Sequence, residues 1–258
     1  IMSLLFTSLE EVNANFDGLV IGNEGQNFSA GANLVLLMME AVEGNWDEID
    51  QMVRTFQRAT QTIKYNPKPV VVAPFALTLG GGCEIALSGA RVQAAAETYM
   101  GLVEVGAGLI PAGGGTTEML LRAGNEPRRV KEVFQNIGLA KVSTSAEHAR
   151  ELLYLRSEDA ITMNSGRLIP DAKLEVLRLA STGYRPPGLP AARLGNLDTF
   201  RAAWVAPVFQ RAARPRGPDL RRGSRGAPWP ARPRCPGPAW PPACRLRQPR
   251  PSCPAARR

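Results

Sequence analysis

Three consecutive glycines stand where the sequence predicts the end of a strand and the start of a helix. The apolar residues 70–73 (VVVA) lead to Gly80, Gly81 and Gly82, and a helix-like segment carrying Glu84 follows at once. Glycine loses more conformational freedom on folding than any other residue. A run of three at such a turn therefore indicates a sharp bend or the close approach of another group.

A second junction of the same kind lies at residues 28–31 (FSAG). Both junctions leave free backbone N–H groups at the start of a helix. Two such amides aimed at one point would form an oxyanion hole, which stabilises a developing negative charge on a substrate oxygen. Two unrelated tight turns have the same spacing, and spacing alone favours that simpler interpretation.

Two glutamates are candidates for acid–base chemistry. Glu84 lies in a first helical turn, where a carboxylate also simply complements the helix dipole. Glu104 lies within the apolar, glycine-rich segment MGLVEVGAGLIP. A carboxylate buried there is costly unless it has a partner or a raised pKa, which makes Glu104 the stronger candidate for a functional residue.

Standard nucleotide, nucleophile and metal motifs do not fit. The segment TLGGGCE lacks the Lys-Ser/Thr pair of a phosphate-binding loop, and neither glycine run matches the dinucleotide fingerprint. The segment NFSAG resembles a hydrolase nucleophile elbow only loosely, so we interpret Ser29 as structural and His148 as a solvated surface residue. Cys235, Cys244 and Cys253 lack the paired spacing of a zinc site, and we expect no metal.

The first 186 residues alternate between helical and strand patterns, which predicts an α/β fold. Helices are predicted to about residue 15, over 34–44, 45–65 and 83–90, and over four later segments. Strands are predicted over 18–23, 68–74, 91–98 and 159–164. No apolar run reaches the roughly 20 residues needed to cross a bilayer, and the first residues do not resemble a signal peptide. We therefore expect a cytoplasmic protein without a membrane span.

The net charge of +8 divides unevenly along the 258 residues. Residues 1–200 carry 17 Lys and Arg against 22 Asp and Glu, whereas residues 201–258 carry 14 Arg against Asp219 alone. The later part also holds 13 of the 22 prolines. Arginines with interspersed Trp229 and Trp240 are compatible with nucleic-acid binding. The Arg/Pro/Ala/Gly composition instead favours an out-of-frame reading of a GC-rich gene, and in either case we expect a disordered tail over 187–258.

Three segments together resemble the crotonase, or enoyl-CoA hydratase/isomerase, superfamily. They are NFSAGANL, ALTLGGGCEIAL and YMGLVEVGAGLIPAGGGTTEML, and the resemblance covers residues 1–186. It is strongest to the crotonase portion of bacterial 3-hydroxyacyl-CoA dehydrogenase fusion proteins of fatty-acid β-oxidation. It implies the ClpP/crotonase fold, with repeated ββα units and helical packing at the C-terminal side.

The resemblance also implies a reaction and a set of site residues. The amides matching Ala30 and Gly81 would hold a thioester enolate, while Glu104 would serve as acid/base at C2 and Glu84 would orient water for syn-hydration of a trans-2-enoyl-CoA. No cofactor is implied, because coenzyme A belongs to the substrate, and a homo-oligomer is expected. The other implied substrate-binding residues are Phe28, Ser29, Gly31, Gly80, Gly82, Pro111 and Gly113.

The ends of the chain depart from the family pattern. The strand pair that precedes the first helix in the family is not matched, and after residue 187 the sequence drifts into the Arg/Pro tail. Two functions therefore stay open. The chain is either an enoyl-CoA hydratase, as both glutamates favour, or an inactive remnant or acyl-CoA-binding module without turnover, as the unmatched ends favour.

Overall fold

The structure, a computed structural model, describes residues 2–124 and 126–188. The predicted boundary at residue 187 falls at the edge of this range, and the predicted disorder of the tail lies outside the described residues. Both stay predictions.

Four parallel strands form the main sheet, in the order β1-β2-β4-β6. A second, two-stranded parallel sheet pairs β3 with β5. The strands are β1 (Leu19–Ile21), β2 (Val70–Val72), β3 (Ala76–Leu79), β4 (Arg91–Ala95), β5 (Thr98–Gly101) and β6 (Ala160–Thr162).

Helices connect and cover these strands, as parallel pairing requires. A 3-10 helix at Glu104–Ala107 follows β5, and another, Ser165–Arg167, precedes the last α-helix. The α-helices are α1 (Met2–Asn15), α2 (Leu34–Glu43), α3 (Trp46–Lys64), α4 (Gly81–Ser88), α5 (Gly115–Ala123), α6 (Pro127–Gly138), α7 (Ala146–Glu151) and α8 (Leu168–Ser181).

The α/β class and the helix positions predicted from the sequence are confirmed. The strand predicted over 91–98 is wrong in extent, because it divides into β4 and β5. No strand was predicted between residue 74 and the glycines, but residues 76–79 form β3. With these two strands added, the chain shows the expected ββα repeats, β2-β3-α4 and β4-β5 followed by α5.

The side chains of β2 alternate between the two faces of the main sheet, and a hydrophobic core covers each face. Val71 packs with α8 through Ala172 and Val176 on one face. Val72 packs on the other face with Leu87 of α4 and the other residues of the larger core. Because β2 is covered on both faces, all three of its valines are fully buried. The next strand, β3, leads into the glycine turn.

Gly82 shows why this turn requires glycine. A Cβ added at Gly82 would lie 2.2 Å from the Cβ of Ser29, so the Ser29 side chain packs directly against the backbone of α4. Gly138, also helical, has no atom within 4 Å of the same added Cβ.

We expect Gly82→Ala to lower the free energy of unfolding by about 2 kcal/mol or more, because the added methyl overpacks a buried junction. Gly138→Ala is the matched control, and it should be neutral or stabilise by up to about 1 kcal/mol. Urea unfolding of both variants measures the difference. Equal stability of the two variants would show that the contact at Gly82 imposes no constraint.

Candidate active site

The turn at Gly80 joins β3 to α4 in a conformation that favours glycine. Gly80 has φ +56° and ψ −127°, and its N–H donates to the carbonyl of Gly101 at 2.9 Å. Gly81 then begins α4, so its N–H has no acceptor within the helix. Among the described residues, the Gly81 N–H has no hydrogen-bond acceptor.

The FSAG junction runs beside β3 and ends next to Gly80. The Ser29 N–H donates to the Leu77 carbonyl, and the Leu79 N–H donates to the Ser29 carbonyl, both at 2.9 Å. A Cβ added at Gly80 would lie 3.6 Å from the Cα of Gly31. The two turns therefore meet, and within the described part of the chain the Ala30 N–H, like that of Gly81, has no acceptor.

Glu84 is a buried carboxylate held by backbone amides. Its side chain lies one turn into α4 and is 2% exposed. Its Oε1 accepts hydrogen bonds from the N–H groups of Gly113 and Gly115, each at 2.8 Å. Burial raises the pKa of Glu84 to about 7; the charge of Glu104 adds to this, and the two amides oppose it.

Glu104 lies at the first position of the 3-10 helix after β5. A Cβ added at Gly80 would be 3.4 Å from its Oε1, which places the carboxylate at the junction of the two turns. Both carboxylate oxygens are buried and accept no hydrogen bond from any other described residue. Burial raises the pKa of Glu104, with its own backbone N–H opposing. Burial without a hydrogen-bond donor favours the neutral form of a carboxyl group.

Helix α3 supports the backbone turn whose Gly113 and Gly115 amides bind Glu84. The Thr60 hydroxyl donates to the Gly113 carbonyl at 2.6 Å, and the Gln57 side-chain amide donates to the Ala112 carbonyl at 2.8 Å. A Cβ added at Gly113 would lie 2.1 Å from the Cε1 atom of the Phe56 ring, so the ring fills that space. The same ring also faces Gly81. None of these three residues is predicted as a site residue from the sequence. Helical periodicity identified only the apolar side of α3, and nothing in the sequence shows which turn that side contacts.

The remaining predicted substrate-binding residues have different surroundings. Ser29 accepts the Gly31 N–H at its Oγ at 3.2 Å, in keeping with a structural role. Phe28 packs against the larger core. Pro111 and Gly113 line a cavity of about 680 Å³ beside α3. His148 is half-buried rather than fully solvated, and its Nδ1 accepts the Thr144 N–H at 3.1 Å.

Metal-binding clusters and membrane-spanning helices are both absent from residues 2–124 and 126–188. No group of three or more His, Cys, Asp or Glu side chains is arranged to hold a metal ion there. No helix in the same range is long and apolar enough to span a membrane.

Comparison with known proteins matches residues 4–126 to the family described as enoyl-CoA hydratase/isomerase. A probable 3-hydroxyacyl-CoA dehydrogenase of Bacillus subtilis is 49% identical over 191 residues, which are 72% of this chain and 24% of that protein. A putative fatty acid oxidation complex trifunctional enzyme of Rickettsia felis is 32% identical over 154 residues, 60% of this chain and 21% of that protein. The chain thus spans about a quarter or less of the length of these two relatives.

Solved structures show the same fold at low sequence identity. The chain matches an enoyl-CoA hydratase from Polaromonas sp. JS666 with a TM-score of 0.60 and 22% identity, over 70% of this chain and 67% of that one. An enoyl-CoA hydratase from Bacillus anthracis gives a TM-score of 0.58 and 23% identity, over 82% and 76% of the two chains. The architecture predicted from the sequence is confirmed by this likeness.

The raised pKa of Glu84 makes a testable contribution to stability. A carboxyl with a pKa of about 7 in the folded protein and about 4.5 in the unfolded chain binds more protons when folded. Its contribution to stability is therefore fully present below about pH 4.5 and is lost as the pH rises through about 7.

Glu84→Gln should remove this dependence while retaining an oxygen for the two amides. We expect the variant to gain stability relative to the unsubstituted protein as the pH rises from about 5 to 8, by up to about 3 kcal/mol. Urea unfolding across that range measures the effect, with the exposed Glu132→Gln as control. A pH-independent difference would mean that Glu84 has an ordinary pKa in the folded protein.

Proposed function

We propose that this chain, whose core is a domain of the crotonase or enoyl-CoA hydratase/isomerase family, adds water to the double bond of a trans-2-enoyl-CoA thioester. The observation that carries the proposal is the meeting of two unpaired amides and two buried carboxylates at one junction of the fold. Acyl-CoA chemistry of this kind needs a site for the enolate oxygen, a group that accepts a proton from water and a group that donates one to carbon.

The two amides supply the first requirement. The N–H groups of Ala30 and Gly81 are the donors for the thioester oxygen, which becomes negatively charged as water attacks C3. Such preorganised donors are each worth about 3 kcal/mol when the charge develops away from water. A side chain at Gly81 would meet the Phe56 ring at 3.0 Å, which helps explain why the donor is a glycine.

The two glutamates divide the proton transfers. Because Oε1 of Glu84 accepts both turn amides, Oε2 is the oxygen left to orient a water molecule and accept its proton. The hydroxyl adds to C3, and the electron pair of the double bond moves into the enolate. Glu104 in its protonated form then delivers a proton to C2. Exchange of one proton with solvent returns both carboxyls to their starting states.

Several wider features are proposed with this reaction. The fatty acid oxidation named for the relatives suggests the same context here. Coenzyme A enters as part of the substrate and no further cofactor is invoked, and a homo-oligomer is proposed from the family resemblance.

Glu104→Gln should lower the rate of crotonyl-CoA hydration at least about 10²-fold, because it removes the proton donor while keeping the shape. Glu84→Gln should cost a comparable amount. Thioester binding, measured by calorimetry, should survive both changes, since the amides remain. The exposed Glu132→Gln is again the matched control and should leave the rate unchanged.

The amide at Gly81 is tested by a pair of substitutions. Gly81→Pro removes the N–H, whereas Gly81→Ala adds a Cβ against Phe56 but keeps the N–H. We expect the Pro variant to lose at least about 10²-fold more activity than the Ala variant. If Glu104→Gln hydrates at nearly the full rate and the two Gly81 variants are equal, the hydratase proposal fails. Thioester binding without turnover in the unsubstituted protein would instead support the binding-module alternative.

A further inference from the structure

A concentration of positive charge lies at the far end of α4 from the oxyanion turn. Residues 2–188 carry 16 Lys and Arg against 21 Asp and Glu, so this part of the chain is acidic overall. Nevertheless, seven of these 16 cations line a single cavity of about 740 Å³. Lys64 is one of them, and the others are Arg91, Arg122, Arg129, Arg150, Arg156 and Arg185.

Carboxylates neutralise only part of the positive charge in this cavity. Glu118 and Glu158 are the acidic residues in its lining, and Glu118 is already paired with Lys64. Glu175 approaches Arg91 no closer than 3.9 Å. Outside the lining, Glu126 pairs with Arg129, Glu147 with Arg150 and Asp159 with Arg156. Arg122 and Arg185 have no carboxylate partner in the described part of the chain, and a concave site with an excess of one charge focuses its field and attracts counter-ions.

Arg122 and Arg156 are held in place by the backbone rather than by carboxylates alone. Arg122 donates to the carbonyls of Leu87 and Tyr154, at 3.0 and 2.7 Å. Arg156 donates to the carbonyls of Gly89 and Ala90, and it also forms an ion pair with Asp159. Burial lowers the pKa of Arg122 to about 10, and the nearby charge of Arg156 adds to that effect. The fold thus holds two guanidinium groups of like charge close together.

Several buried donors around the cavity have no acceptor in the described part of the chain. They are the Nε atoms of Arg91, Arg122 and Arg150 and the hydroxyl of Tyr184. An unsatisfied buried donor is costly, and the cost is greater for a charged group. A cation cluster with unused donors is stabilised by an anion that carries several acceptor oxygens.

The remainder of the chain does not have the charge to fill this role. Residues 189–258 contain 15 Arg against Asp198 and Asp219. An anion supplied from outside the chain is therefore the better electrostatic complement. Guanidinium groups match phosphate oxygens in geometry as well as charge, and the cavity volume is within the range of small-molecule sites.

We propose that this cavity binds the linked phosphate groups of a small molecule, either as inorganic pyrophosphate or as part of a nucleoside diphosphate. The site is separate from Glu84 and Glu104, and the proposal does not depend on the hydratase function.

Binding of pyrophosphate and ADP to the full 258-residue chain, measured by calorimetry and by the shift in Tm, tests the proposal. We expect saturable binding of at least one of them at low ionic strength, and the comparison shows whether a nucleoside is required. The variant pair Arg91→Gln/Arg185→Gln should weaken that binding at least about tenfold, because it removes two cations from the lining.

The matched control is Arg54→Gln/Arg167→Gln, which removes the same charge from residues outside the cavity lining. It should bind as the unsubstituted protein does. The Arg-rich residues 189–258 are the same in every variant, so a difference between the pairs reports on the cavity. Potassium chloride at matched ionic strength separates binding from general screening.

Tyr184→Phe provides a second variant that keeps every charge, and circular dichroism checks that each variant is folded. We expect Tyr184→Phe to weaken binding about threefold or more through loss of the hydroxyl. Absence of saturable binding by both phosphates, or equal loss in the two Arg pairs, would overturn the proposal. The proposal would also be overturned if the Arg91→Gln/Arg185→Gln variant changed its oligomeric state and neither phosphate compound bound. That result would identify the cavity as a protein–protein contact.

Discussion

A buried carboxylate is costly without hydrogen-bond donors, and the arrangement of the site depends on how the fold supplies them to Glu84. The donors are the amides of Gly113 and Gly115, which belong to the turn before α5. The Thr60 hydroxyl of α3 holds that segment by donating a hydrogen bond to the Gly113 carbonyl. Two helices and a turn from distant parts of the sequence therefore converge on one carboxylate. Because backbone donors satisfy its Oε1, the side chain stays buried instead of turning to solvent. Burial then raises its pKa even though the two amides oppose the rise.

Close packing of side chains against the glycine backbone is the second constraint, and it explains why glycines stand at these positions. Gly82 lies against Ser29, and Gly113 lies against Phe56 and Glu84. In both places a methyl group has no room, so the glycines permit approach as much as they permit unusual backbone angles. Gly80 is the exception, because its positive φ is itself the reason for glycine.

Much of the fold follows from local patterns in the sequence. The long amphipathic pattern of α3 and the apolar run of β2 both predicted elements that the structure contains. The strands β3 and β5 could not be predicted in the same way. They pair with each other although α4 and β4 separate them in the sequence, so their stability comes from non-local contacts.

The candidate site was predicted by resemblance more than by pattern. Glycine spacing alone did not distinguish an oxyanion hole from two tight turns, whereas the three matching segments named Ala30, Gly81 and both glutamates. The resemblance named no residue of α3, because its motifs do not include that helix. Only the folded chain shows that Phe56, Gln57 and Thr60 contact the turn that holds Glu84.

The central claim is that the two unpaired amides and the two carboxylates form one reaction centre around a thioester. A crystal structure of the full chain with a bound, unreactive acyl-CoA thioester tests it most directly. The account predicts that the thioester oxygen lies about 3 Å from the amide nitrogens of both Ala30 and Gly81, with C2 and C3 between Glu104 and Glu84. A thioester oxygen bound away from either amide would contradict the account.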